Sequence, residues 1–186
     1  LTLSDDFINL VRAQSREYLL ELQDLGGLLA EVLEDAWEKA RAKHIRLHFD
    51  PPPWPAECRV DRELLSRALG NLVGNALKFS PAGSEIRCSL TERGGQWEIA
   101  IQDQGPGIPL AAQADLFRPF YRVRQHQRTE GTGLGLPFVK TVAVRHGGEV
   151  TLHSDSGQGC RFALLLPRAF EAKTADAGGT SDNPAP

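Results

Sequence analysis

Between Asp61 and Gln102 the hydrophobic period changes once, from helical to alternating, and that change limits the folds open to this chain. Leu65, Ala68, Leu69, Leu72, Val73 and Ala76 recur at the three-and-four spacing of one helix face, with Asp61 placed as the N-cap and Ser80-Pro81 as the stop. Residues 85–91 and 97–102 then alternate apolar and polar, and Gly94-Gly95 between them reads as a hairpin turn. A one-sided helix followed by a one-sided hairpin buries both apolar faces by laying one on the other.

The flanks extend this pattern. A helical stripe of Leu3, Phe7, Leu10 and Val11 runs to about Tyr18 and needs something to face, and Asp24-Leu25-Gly26-Gly27 reads as a break after it. A second helix is expected over 28–42, with Leu29, Val32, Leu33, Ala36 and Ala40 on one side, followed by a strand over 45–49 that Asp50-Pro51-Pro52-Pro53 stops. A helix over 134–145 ends at His146-Gly147-Gly148, and two strands, 149–153 and 161–166, close at Pro167. Beyond Ala169 there is almost nothing to bury, the composition of a disordered tail. The expected class is α+β: a two-layer sandwich whose mixed, mostly antiparallel sheet carries its helices on one face.

Bulk properties remove several function classes. A formal charge of −3 leaves no footprint for nucleic acid. No run reaches the roughly 18 consecutive apolar residues of a membrane span, and the acidic start at Asp5-Asp6 is unlike a signal peptide. The absence of Met predicts a piece of a longer or processed polypeptide. Cys58, Cys88 and Cys160 have neither zinc-ligand spacing nor a disulfide framework, so a reducing cytoplasm is expected and a metal held by protein ligands alone is not.

Four motifs carry chemistry. On the long helix, Asn71 and Asn75 share a face, and Lys78 and Phe79 lie three and four residues further on. An amide oxygen, an ammonium and an aromatic ring suit a Mg–nucleotide; they equally suit a solvated helix face with Phe79 in the core. Asp103-Gln104-Gly105-Pro106-Gly107-Ile108 follows a strand: a carboxylate that accepts from an exocyclic amine, or simply a capped turn. Leu116-Phe117-Arg118-Pro119-Phe120-Tyr121-Arg122 leads into Arg124 and Arg128, a flap whose arginines meet phosphate, or a solvated basic loop or small nucleic-acid patch. Gly131-Thr132-Gly133-Leu134-Gly135-Leu136-Pro137 opens a helix with exposed amides, an anion site that is neither the dinucleotide fingerprint nor a Walker loop.

In this order and spacing, the motifs resemble the ATP-binding domain of sensor histidine kinases, in the superfamily that includes gyrase, MutL and heat-shock chaperone ATPases. Residues 71–79 match its N box, 103–107 its G1 box, 117–120 its F box and 131–136 its G2 box; His146-Gly147-Gly148, Ser154, Gly157-Gln158-Gly159 and Leu166-Pro167 match its end. The likeness covers about 28–167, and residues 1 to about 20 resemble the tail of the dimerisation hairpin that precedes this domain. It implies ATP and Mg²⁺ as ligands, with Asn75 on the metal, Asn71 beside it, Lys78 on phosphate and Phe79 near the adenine. It also implies Asp103 on the adenine amine within a wall of Gly105, Gly107 and Ile108. Tyr121 and Arg122 would reach in from the lid, and Thr132, Gly133, Leu134, Gly135 and Leu136 would cradle phosphate. The implied division is 1–22 hairpin helix, 23–168 ATP-binding domain and 169–186 tail. Implied partners are a phosphoacceptor hairpin, a response-regulator receiver domain and a second copy in the full-length protein, and the implied place is the cytoplasmic part of a membrane-associated sensor.

Two departures bear on activity. Sensor kinases phosphorylate a histidine followed by an acidic residue and then Thr or Asn before Pro; His44, His48, His126, His146 and His153 all lack that setting. The acceptor is therefore expected upstream of Leu1 or on another protein. Relatives commonly have Thr where Cys160 stands, a difference read as structural. The superfamily's ATPases carry a water-activating glutamate at the place of Asn71, so the resemblance implies a kinase that transfers the γ-phosphoryl group to histidine. The alternatives are an anti-sigma-type serine kinase and a catalytically silent nucleotide-binding scaffold.

Overall fold

The computed structural model describes residues 3–123 and 131–168. Its elements are α1 (Leu3–Ser15), β1 (Glu21–Asp24), α2 (Leu25–Ala42), β2 (Arg46–Phe49), β3 (Glu57–Val60), α3 (Arg62–Phe79), β4 (Glu85–Arg93), β5 (Gln96–Gln102), α4 (Leu110–Gln113), α5 (Gly135–Arg145), β6 (Glu149–Ser154) and β7 (Cys160–Pro167). Five strands form the main sheet in the order β2-β4-β5-β7-β6, antiparallel except for the β2–β4 pair. Ile86, Cys88 and Leu90 of β4, Trp97, Ile99 and Ile101 of β5, and Phe162, Leu164 and Leu166 of β7 alternate onto one buried face. There they meet Leu65, Leu69, Leu72 and Val73 of α3 and Val139 and Val142 of α5 in a single core. The expected mostly antiparallel two-layer arrangement is what forms.

The break between the first two helices falls at residues 16–24 rather than at Gly26-Gly27. Asp24 caps α2 instead, its two carboxylate oxygens accepting from the Gly26 and Gly27 N–H groups at 3.2 and 3.1 Å, so both glycines sit in the first helical turn. Just before it, β1 pairs antiparallel with β3 in a small second sheet that the sequence pattern did not announce. Trp97 Nε1–H donates to Glu57 O at 3.0 Å and ties this sheet to the main one. The expected flap positions Arg124 and Arg128 and the tail beyond Ala169 lie outside the described residues.

Asp61 is the junction of the helical layer. Its Oδ1 accepts from Leu64 N–H at 3.1 Å, capping α3, while Arg16 donates to both oxygens at 2.7 and 2.9 Å and Leu19 N–H to Oδ2 at 3.1 Å. Burial pushes this carboxyl up, but the bonds from Leu64, Leu19 and Arg16 together hold it below its ordinary value. The Asp61 N–H donates to His146 Nε2 at 2.9 Å, which places the ring proton on Nδ1, directed at Val142 O at 2.7 Å. Burial keeps His146 neutral by lowering its pKa. This imidazole thus joins the start of α3 to the end of α5. Tyr18 packs edge-on against it at 5.1 Å, and Arg145 stacks over Tyr18 at 4.4 Å. The C-terminal half of α1 is held here, with Leu10 and Ala13 buried, whereas Leu3, Phe7, Ile8 and Val11 remain exposed.

Candidate functional site

A cleft of about 410 Å³ opens between α3 and the chain segments around it. Its floor is one face of α3: Gly70, Asn71, Gly74, Asn75, Lys78 and Phe79. The helical period that buries Leu72, Val73 and Ala76 in the core turns these residues outward, which is why two poor helix formers are tolerated there. A Cβ built on Gly70 or Gly74 meets nothing within 4 Å. In the interior of a helix such glycines cost about 1 kcal/mol each against alanine, so the space above them is a property of the cleft rather than of the packing. Sequence reading passed over both glycines; two helix-breaking residues inside a strong helical pattern were the available signal.

One end of the cleft is rigid. Asp103, at the end of β5 and 6% exposed, accepts from Gly105 N–H at 2.8 Å and Cys160 N–H at 3.1 Å, both on Oδ1. Oδ2 is the oxygen left for a ligand. Burial pushes the Asp103 carboxyl above its ordinary value, and the two amide bonds oppose that rise. Gly107 has φ +69, and a Cβ there would lie 1.9 Å from Asp155 O, so only glycine fits this turn. Ile108, Cys160 and Phe162 complete an apolar wall. Cys160 faces the cleft, its thiol pushed up to about 11 by burial and therefore neutral.

The other end is built from a loop and a helix tip. Tyr121, Arg122 and Val123 line it together with Gly131, Thr132, Gly133, Gly135 and Leu136. Gly133, at φ +75, lets the backbones of Phe120 and Tyr121 approach within 3.0 Å of where a Cβ would be, and its carbonyl accepts from Phe120 N–H at 3.1 Å. Phe120 itself is left-handed at φ 65. The tip of α5 borders the cleft, with Lys78 Nζ against Gly131 and Asn71 against Gly135. Lys78 also lies over the Phe79 ring at 4.9 Å.

The expected site residues thus gather in one cavity, apart from Arg118 of the flap, which pairs instead with Asp115 at 2.8 Å, and two that stand behind the cavity wall. Gly105 spends its N–H on Asp103, and Leu134 is 1% exposed beneath the glycine loop. Asp6 and Lys39 reach the rim from α1 and α2, far from the motifs in sequence. Among the described residues no cluster of three or more His, Cys, Asp or Glu is placed to hold a metal, and no helix is long and apolar enough to cross a membrane.

Residues 60–169 match the family described as histidine kinase-, DNA gyrase B-, and HSP90-like ATPase. The chain is 38% identical over 168 residues to the sensor-like histidine kinase SenX3 of Mycolicibacterium smegmatis, covering 87% of this chain and 43% of that protein. Against the alginate biosynthesis sensor protein KinB of Pseudomonas aeruginosa the figures are 34% over 167 residues, 89% and 28%. Full-length ShkA in complex with AMPPNP superposes with a TM-score of 0.76 at 30% identity, covering 89% of this chain and 35% of that one. The chain spans less than half the length of these relatives.

Proposed function

Because the chain belongs to the histidine kinase-, DNA gyrase B- and HSP90-like ATPase family, we propose that it binds Mg–ATP in the α3 cleft and transfers the γ-phosphoryl group to a histidine of a dimerisation hairpin. The observation that carries this reading is the polarity of the cleft: one buried carboxylate oxygen at the apolar end, and cations with helix-tip amides at the other. Asp103 Oδ2 would accept from the adenine amine while Ile108 and Phe162 flank the base. Lys78, Arg122 and the amides of 131–135 would receive the phosphates. Asn75 fits Mg²⁺ as a hard amide ligand above the open space at Gly74, and the ion would neutralise charge on the transferred group.

What faces the phosphate end among the described residues favours transfer over hydrolysis. The carboxylates lining the described cleft are Asp103, at the base end, and Asp6, which is bonded to Thr132. Asn71 carries no proton-accepting charge, so a nucleophile that arrives already basic, such as an imidazole nitrogen, is served better than water. The hairpin, a receiver domain and a second copy of the chain are the partners this reading requires. We assign 1–22 to the hairpin side and 23–168 to the nucleotide-binding domain of a membrane-associated sensor. Incubation with γ-labelled Mg–ATP and a separately produced dimerisation hairpin tests it. Acid-labile label on the hairpin is expected; acid-stable phosphoserine, or bound nucleotide with no transfer, would replace histidine transfer with one of the two alternatives.

A further inference from the structure

Asp6 belongs to none of the four motifs, yet it occupies a position where an anion is favoured. Thr132 Oγ1–H donates to Asp6 Oδ2 at 2.8 Å, and the same hydroxyl accepts from Leu134 N–H at 3.3 Å. Through that one hydroxyl the carboxylate is relayed to the amide end of α5, an 11-residue helix, beside Gly131 and Lys78. These are the groups to which the proposed function assigns the phosphates. A triphosphate and a carboxylate within reach of the same donors repel each other.

The attachment of α1 changes along its length. At the C-terminal end Arg145 donates to Ala13 O and Gln14 O, Tyr18 O–H donates to Ala13 O at 2.9 Å, and Arg16 pairs with Asp61. The first two turns carry Leu3, Phe7 and Ile8 exposed, with Asp6 reaching the rim of the cleft.

We propose that Asp6 is an autoinhibitory anion: it holds the first turns of α1 on the phosphate cradle until a nucleoside triphosphate enters and drives it off, so that nucleotide occupancy releases this half of the helix. The inference rests on the nucleotide-binding reading of the cleft. Calorimetric titration of the whole 186-residue chain with Mg–ATP and with adenosine, together with hydrogen exchange over residues 3–9, tests it. Asp6→Ala is expected to bind Mg–ATP about tenfold more tightly, and Asp6→Asn, which keeps an acceptor for Thr132 without the charge, about threefold, with adenosine affinity unchanged in both. In the wild type, saturating Mg–ATP should speed exchange over 3–9 and adenosine should not. Equal Mg–ATP affinities, an equal gain for adenosine, or exchange that ignores ATP overturns the proposal while leaving nucleotide binding in place. A wild type that binds no ATP overturns both.

Discussion

The two ends of the cleft are made differently. At the Asp103 end the backbone turns are tied by hydrogen bonds: Gly157 N–H to Pro106 O at 2.7 Å, Asp103 N–H to Cys160 O at 2.8 Å, Ile108 N–H to Ser154 Oγ at 2.9 Å. At the Gly131 end the described wall is made of residues 121–123 and 131–134 against a helix tip, and its charged groups, Lys78 and Arg122, are half-buried. The contrast separates recognition from chemistry. A site that must reject wrong bases needs donors and acceptors fixed before the ligand arrives, whereas one that must let a phosphoryl group leave is better completed by the ligand itself.

The strongest challenge to this contrast is Asp103→Asn. The amide keeps an oxygen for Gly105 and Cys160 but turns an NH₂ towards the ligand, so Mg–ATP affinity should fall on the order of a hundredfold with the fold retained. Titration calorimetry beside a thermal melt checks it; undiminished binding would show that the base is not read here. Next, Gly107→Ala should cost about 3 kcal/mol in urea unfolding, because its Cβ meets the backbone of Asp155. Gly131→Ala should cost less, about 1–2 kcal/mol, because its φ of +150 strains an alanine but its Cβ meets only the movable Nζ of Lys78 rather than backbone. Equal losses would erase the difference in rigidity.

Smaller effects sharpen the picture. Gly74→Ala should stabilise the protein by about 1 kcal/mol through helix propensity and yet weaken Mg–ATP binding several-fold, opposite signs that a merely structural glycine would not give. The last test uses pH. With its folded pKa raised, Asp103 holds its proton above the range where ordinary aspartates lose it, so folding is favoured below the unfolded value and that advantage disappears as pH rises through the folded one. Base recognition needs the ionised form. Affinity should therefore decline on acidification while other aspartates are still charged, and Asp103→Asn should remove that limb of the profile.

How much of this was legible depended on sequence distance. α3, the β4–β5 hairpin and the Asp61 cap were readable because each is set by residues within a few positions of one another. β1 was not: Glu21, Leu22, Gln23 and Asp24 bury almost nothing, and only pairing with β3 makes them a strand. Gly26-Gly27 looked like a break because the pattern hid the carboxylate that caps them. Of the site, the four motifs point to residues that share a cavity, while Lys39 comes from a helix turn with no signal of its own. Asp6 meets Thr132 across 126 residues, a pairing no local pattern encodes.

The fastening of α1 at one end makes it a lever. From its last buried anchor at Leu10, with Asp61, Tyr18 and Arg145 gripping the end behind it, about four residues of helix reach back to Asp6, an arm of roughly 6 Å. A swing of about twenty degrees carries the tip roughly 2 Å, enough to part a hydrogen bond of 2.8 Å. A modest torque applied to the N-terminal helix is thereby geared directly to the mouth of the cleft.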